Sequence, residues 1–209
     1  MASKTRYHHG DLTNALTVAA TQLARDGGPE AVVLREAARQ VGVSATAAYR
    51  HFAGHGDLMH AVKLSAQGTL ADRMETVLAG TRGRDRGDTA VRRVRAIGEA
   101  YIGFALAEPG LFRAAFCHIE DLPQADEPFD MTTVRSYQLL AGALDELAAA
   151  GLMNAARRPY AEIAAWSAVH GLAVLFLDGP LAGLPDAVRE EAIDRALDAI
   201  VAGLCAPVG

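Results

Sequence analysis

The chain has 209 residues, 51% of them hydrophobic but only 6% aromatic, and a formal net charge of −5. That length holds one large domain, or a small one joined to a larger, with most of the unfolded surface buried. Cys117 and Cys205 have no CxxC spacing and no third partner, which excludes a disulfide framework and suits free thiols in a reducing compartment.

No charged stretch followed by an apolar one opens the chain, so a secretory signal is not expected. The longest strongly apolar run, Leu172–Leu177, is too short to span a bilayer. A soluble cytoplasmic protein without a membrane partner is the expectation. Alanine dominates and no long run alternates with a period of two, which points to an all-α fold of about nine helices.

The first helix is expected to start at Asp11 as N-cap and to carry Leu12, Leu16, Ala19, Ala20 and Leu23 on one face, with Gly27-Gly28-Pro29 ending it. Residues 34–52, Leu-Arg-Glu-Ala-Ala-Arg-Gln-Val-Gly-Val-Ser-Ala-Thr-Ala-Ala-Tyr-Arg-His-Phe, read as a helix-turn-helix. Ala38 is the small residue required where two steeply crossed helices meet, and Gly42 supplies a turn residue that tolerates positive φ. Val41, Val43 and Ala48 fall at inward positions, and Ser44 can cap the second helix. That helix ends in Tyr49, Arg50 and His51, side chains able to bond bases or phosphates, and an unrelated helical hairpin explains so exposed an end poorly. Val33 stands at the cap of the preceding helix without a hydroxyl, leaving Glu36 without its capping-box partner.

Asp57 is expected to cap a long helix reaching about Ala79, after which Gly80–Gly87 reads as a flexible charged loop. A fifth helix, Thr89–Ala107, is broken by Pro109-Gly110, and Leu111–Cys117 form a short helix. Residues 118–130 read as an irregular lid-like segment. Met131–Ala150 is amphipathic, Pro159 suits the first turn of a helix to about Leu177, and Pro185 opens the last helix. Charge is uneven along the chain. Residues 1–60 hold six Lys/Arg against five Asp/Glu and five of the seven histidines, whereas residues 61–209 hold 14 against 20. DNA affinity from so mild a basic balance should be modest and salt-sensitive.

From Tyr7 through Tyr49-Arg50-His51-Phe52 to Leu58, the sequence resembles a TetR-family transcriptional regulator. Trp166-Ser-Ala-Val-His170-Gly171-Leu resembles the Trp/His/Gly signature of one subgroup of C-terminal domains in that family. The resemblance implies an N-terminal DNA-binding domain (1–56), joined by a long helix to an effector-binding and dimerisation domain (57–209). It also implies a homodimer on a palindromic duplex operator, released by a small-molecule effector that shifts the long helix. The candidate DNA-facing set is Arg35, Ser44, Ala45, Thr46, Tyr49, Arg50, His51 and His55. Thr46 and Arg50 would read bases, Tyr49 and His51 would hold phosphates, and His55 stands where many relatives carry Lys.

In the C-terminal part, Tyr101, Phe104, Phe112, Phe116, Tyr137, Trp166 and His170 are candidate effector contacts, with Arg113 and His118 nearby and small residues such as Gly98 and Gly103 leaving possible space. An aromatic at helical spacing is more often ordinary core than pocket, and a histidine such as His170 more often structural. Gly171, Ala173, Ile193, Leu197, Ile200, Val201 and Leu204 are candidates for a four-helix dimer interface, or for the subunit's own core. No resident cofactor is expected, and three rival readings are weighed, one of them an architectural or pairing module whose helix-turn-helix, left bare by Ala45, Ala47 and Ala48, has lost DNA binding. A metal site is disfavoured because His8 and His9 are adjacent, with no carboxylate at ligand spacing. An enzyme is disfavoured because no nucleophile elbow, phosphate loop or dinucleotide fingerprint occurs.

Overall fold

A computed structural model describes residues 9–117 and 131–206, although the side chains of residues 9–11 lie outside that description. The fold is all-α: the described residues form nine α-helices, three short 3₁₀ turns and no strand. They divide into two compact units, 9–67 with 108–117, and 68–107 with 131–206.

In the first unit, α1 (His9–Gly27) buries Leu12, Leu16, Ala20 and Ala24, one residue per turn along a single stripe. Because α1 begins at His9, Asp11 stands within its first turn and is not the cap. A 3₁₀ turn, Pro29–Ala31, leads to α2 (Leu34–Val41) and α3 (Ala45–Ala48). The long helix α4 (His55–Gly80) starts two residues before Asp57. Asp57 therefore does not cap it; its Oδ2 accepts the Ala53 N–H at 2.9 Å and closes the turn after the helix-turn-helix.

The short helix α6 (Pro109–Phe116) also belongs to this unit. Gly110 lies on the carbonyl end of α1, where a Cβ would stand 2.6 Å from the Arg25 oxygen and closer still to that of Ala24. Arg25 Nε donates to Glu108 at 2.9 Å beside it. At the other end of α6, Lys63 donates to the Cys117 carbonyl at 3.1 Å and Gln67 to that of Ala115 at 3.1 Å. Two side chains of α4 thus satisfy carbonyls that a helix C-terminus leaves unpaired.

The second unit is built around α5 (Arg86–Ala107), which packs on α7 (Arg135–Ala149), α8 (Ala161–Leu177) and α9 (Asp186–Cys205). Val94, Ile97, Tyr101, Ile102 and Phe104 of α5 are buried with Leu140, Leu144 and Leu147 of α7 and Val169 and Phe176 of α8. Around the rim, Arg95 pairs with Asp194 (2.6 Å) and Asp198, Arg93 with Glu146 (2.5 Å), and Arg158 with Asp145 (2.8 Å) and Glu162 (2.6 Å). The pairs with an exposed carboxylate contribute little individually and mainly fix register, whereas the Glu162 carboxylate is buried against Arg158.

Two connections differ from the sequence expectation. The connection between α4 and α5, residues 81–85, is a hydrogen-bonded turn: Asp85 accepts the Asp88 N–H (2.8 Å), and Asp88 accepts the Arg84 N–H (2.8 Å). That amide bond, with the Arg92 guanidinium, holds the Asp88 carboxyl below its usual range. Gly83 is required there, since a Cβ would strike the Asp88–Thr89 backbone. Pro159 precedes α8 instead of opening it, because Tyr160 intervenes in a left-handed conformation at φ 62°.

Candidate nucleic-acid interface

Helix α2 ends in a Schellman turn, with Val43 N–H bonded to the Ala38 carbonyl at 3.0 Å and Gly42 at φ 78°. A Cβ on Gly42 would meet nothing within 4 Å, so glycine serves the backbone conformation and not space. Leu34, Ala37, Ala38, Ala48 and Phe52 are buried and pin the two helices together. Of the three inward positions expected, Ala48 is buried while Val41 and Val43 are half-exposed.

Ser44 caps α3 as anticipated: its Oγ accepts the Ala47 N–H at 3.1 Å. The helical turn continues past Ala48, because His51 N–H and Phe52 N–H both reach the Ala48 carbonyl at 2.9 and 3.1 Å. With Ala48 and Phe52 fixed inward, the spacing of Thr46, Tyr49 and Arg50 sets them together on the opposite, exposed face. Ala45 is half-exposed on the same short helix, and Arg35 and His55 are exposed at its flanks. His51 lies off that face, half-buried, its Nδ1 2.8 Å from Thr13 Oγ1 of α1.

Val33 caps nothing with its side chain, as its chemistry requires. Glu36 turns instead to Arg39, in a two-bond pair of 2.9 and 2.6 Å that holds its carboxyl below the usual range. That pairing neutralises Arg39 and leaves Arg35 and Arg50 as the exposed cations of the motif. Chemically the surface offers a guanidinium, a phenol, a hydroxyl and an imidazole around an alanine-lined ridge. It can donate to base edges and phosphates, and the Glu36 carboxylate beside it is already engaged.

Residues 16–62 match the profile of bacterial regulatory proteins of the tetR family, and residues 94–200 match the Tetracyclin repressor-like C-terminal domain. The chain belongs to the TetR family. It is a DNA-binding transcription regulator with a helix-turn-helix. Among solved structures it resembles a protein with unknown function from Rhodococcus sp. RHA1 at 26% identity, over 98% of this chain and 100% of that one, with a TM-score of 0.74. It also resembles the TetR-family regulator PfmR from Thermus thermophilus (22% identity, 90% and 98% covered, TM-score 0.60). A third likeness is to a variant of TetR from Acinetobacter baumannii AYE, solved in complex with minocycline (16% identity, 91% and 94% covered, TM-score 0.61). No protein of curated function matches the chain.

The aromatic residues expected in the TetR-like C-terminal domain fall into two groups. Phe112 and Phe116 lie on α6 in the first unit, their ring centres 5.1 Å apart. Tyr101, Phe104, Tyr137, Trp166 and His170 belong to the second. There Trp166 Nε1 donates to the Tyr101 hydroxyl at 3.0 Å, and that hydroxyl lies 2.7 Å from His170 Nδ1. Burial raises the Tyr101 phenol well above its ordinary value and lowers His170. A neutral His170 can then accept the phenol hydrogen at Nδ1.

Tyr101 and Phe104 are buried, whereas Tyr137, Trp166 and His170 are half-exposed. The glycines expected to leave space are seats for neighbours: Leu197 occupies the place of a Cβ on Gly98, and the Arg73 guanidinium lies 2.8 Å from where a Cβ on Gly103 would stand. Arg113 is half-exposed on α6, while His118 lies outside the described residues, as does the 118–130 segment.

Ala173, Leu197 and Leu204 are buried within the subunit; Ile193, Ile200 and Val201 are half-exposed, and Gly171 is exposed. The exposed stripe of α8 also includes Ile163, Ala164, Ser167, Ala168, Val174 and Leu175, which the sequence reading passed over. The signal was present: no charged residue occurs between Glu162 and Asp178. Thr13, too, was missed, because its partner lies 38 positions away.

Among the described residues, no group of three or more His, Cys, Asp or Glu could hold a metal ion, and the side chains of His8 and His9 lie outside them. No described helix is long and apolar enough to cross a membrane.

Proposed function

We propose that this chain is a cytoplasmic, non-enzymatic transcriptional repressor that binds a palindromic operator as a homodimer and leaves it when a small-molecule effector binds. The observation that carries the reading is the exposed trio Thr46, Tyr49 and Arg50, held outward on a helix capped by Ser44 and anchored by Ala48 and Phe52. Thr46 and Arg50 read base edges. Tyr49, His51, Arg35 and His55 contact the phosphate backbone, with Ser44 and Ala45 at the close approach of the helix end. In functional terms residues 1–56 bind DNA and residues 57–209 bind the effector and pair the subunits.

So short a recognition helix spans few base pairs, and two copies on a palindrome supply the missing specificity. The long uncharged face of α8, with Gly171 at its centre, supports pairing through α8 and α9, with Ile193, Ile200 and Val201 at its edge. The half-exposed Tyr137, Trp166 and His170 beside Tyr101 and Phe104 support an effector site, of the subgroup that carries Trp, His and Gly at 166, 170 and 171. Phe112 and Phe116, on α6 of the first unit, are the remaining candidate effector contacts. A coupling of about 1–3 kcal/mol changes operator affinity several-fold to a hundredfold.

Selection of bound fragments from random DNA tests the reading. A palindrome with half-site centres about 34–36 Å apart, or a multiple of that spacing, is the expected result. Absence of any sequence preference at low ionic strength sinks it. A compound that raises thermal stability and tightens operator binding would reverse the assigned sign of regulation.

A further inference from the structure

We propose that the methyl groups of Thr46 and Ala47 read thymine through its 5-methyl group, and that each operator half-site sets this thymine within about two base-pair steps of a guanine read by Arg50. This rests on the reading that the exposed face of α3 enters the major groove. Tyr49 N–H bonds the Ala45 carbonyl at 2.9 Å and Phe52 N–H that of Ala48 at 3.1 Å, so helical rotation runs on from α3 to the buried Phe52. At about 100° per residue, Thr46 and Arg50 lie within about 20° of the direction opposite the buried Ala48. Ala47, half-exposed, and Tyr49, exposed, flank them on either side. Ala45 lies round toward the side of Ala48.

Side-chain length decides what this face can read. The planar fork of Arg50 matches the O6 and N7 acceptors of guanine and reaches them from a distance. Thr46 ends at its γ atoms and Ala47 at its β carbon, so neither touches a base unless the backbone itself sits close. Three consecutive small residues, Ala45, Thr46 and Ala47, permit that approach.

At such closeness a methyl recognises whatever is both apolar and projecting. In the major groove that description fits the thymine 5-methyl, whereas adenine, guanine and cytosine present donors and acceptors. Ala47 has no polar side-chain atom with which to tell those apart. An amino group of cytosine or adenine pressed against it would lose its water without gaining a partner. Thr46 carries a hydroxyl as well, but a hydroxyl both donates and accepts and so discriminates weakly; its methyl supplies the preference. Losing one methyl from a buried contact of this kind weakens binding about three- to fivefold.

The experiment uses the full chain and the duplex recovered by selection from random DNA. Each thymine of one half-site is replaced in turn by 2′-deoxyuridine, which removes the 5-methyl and keeps every hydrogen-bonding group. Affinities are measured for the wild type, Thr46→Ser, Thr46→Val, Ala47→Gly and Arg50→Ala. For the wild type, one or two thymines should show a three- to fivefold loss, and the others should show none. Thr46→Ser or Ala47→Gly should bind the thymine duplex more weakly and lose the sensitivity at its own thymine. Thr46→Val, which keeps the methyl and lacks the hydroxyl, should retain it. The sensitive thymine should lie within about two steps of the position at which Arg50→Ala relaxes the preference.

The thymine-to-deoxyuridine ratio is taken within each variant, so a general loss of stability does not imitate the effect. A wild type indifferent to deoxyuridine at every position overturns the methyl reading, while a surviving preference for the selected duplex leaves the recognition face standing. Sensitivity that persists undiminished in both Thr46→Ser and Ala47→Gly assigns the methyl to another residue and overturns the proposal. Sensitivity lost in Thr46→Val makes the hydroxyl the reader and overturns the role of Thr46. If selection recovers no preferred sequence, the placement of α3 in the groove fails, and the thymine contact fails with it. Should Ala47→Gly not fold, the wild-type scan and Thr46→Ser decide by the same outcomes.

Discussion

Gly110 of α6 and Ala24 of α1 meet backbone to backbone: a single added methyl on the glycine would enter the carbonyl oxygen of the alanine. Neither partner is a flexible side chain, so neither can swing aside. Gly110→Ala is expected to destabilise the first unit by about 3 kcal/mol, at the upper end of overpacking costs. Denaturant unfolding of the full chain checks this, and a loss within error of zero would mean that α6 lifts readily from its seat.

Val33 offers the opposite experiment. It is an exposed β-branched residue at a cap position, with the backbone already extended at φ −124°, ψ 123°. Val33→Thr should add a side-chain acceptor at the first-turn amides of α2 and stabilise the chain by about 1 kcal/mol. It should also tighten binding to a random-sequence duplex by adding a hydroxyl near the phosphates. Thermal unfolding and duplex titration measure the two effects separately.

Arg50 and Tyr49 share a face but are assigned different chemistry. Arg50→Ala should relax sequence preference at one base position by about 1–3 kcal/mol. Tyr49→Phe should weaken every duplex alike, since only a phosphate partner is lost. A Tyr49→Phe variant whose loss depends on base sequence contradicts the assignment.

His170 gives the second unit a pH response. Its burial lowers its proton affinity in the folded state relative to the unfolded chain. The unfolded state therefore takes up a proton first on acidification, and stability present above about pH 6.5 declines as pH falls through the lower folded value. His170→Gln should flatten this decline, which melting temperatures at pH 8, 6 and 5 will reveal. A wild-type protein equally stable at all three rules out a titrating role for the relay.

The helix-turn-helix was legible because its determinants are local. Gly42, Ser44 and the missing hydroxyl at Val33 act within four residues of where they stand, and each does in the structure what its chemistry foretold. The 80–87 stretch was legible as an exposed charged loop, though not the hydrogen bonds within it. Glycine and charge signal a loop, yet the same Asp85 and Asp88 that look like solvated charge are what order it. Distance in sequence hid the rest. Tyr101 is 65 residues from Trp166 and 69 from His170, so their relay left no periodic trace. Likewise Gly98 and Gly103 looked like vacancies, because nothing near them in sequence names Leu197 and Arg73 as their occupants.

The seating of α6 has a consequence for anyone who would divide this polypeptide. The chain passes from one half to the other after Gln67, returns after Ala107, and leaves again between Cys117 and Met131. No single cut yields the reader head free of the second unit, because a fragment ending before Glu108 leaves the carbonyls of α1 without their cover and the amine of Lys63 without its acceptor, and one ending after Cys117 carries residues 68–107 with it. Chimaeras that exchange second units between relatives must therefore carry α6 with the head, by grafting at three junctions: after Gln67, before Glu108 and between Cys117 and Met131.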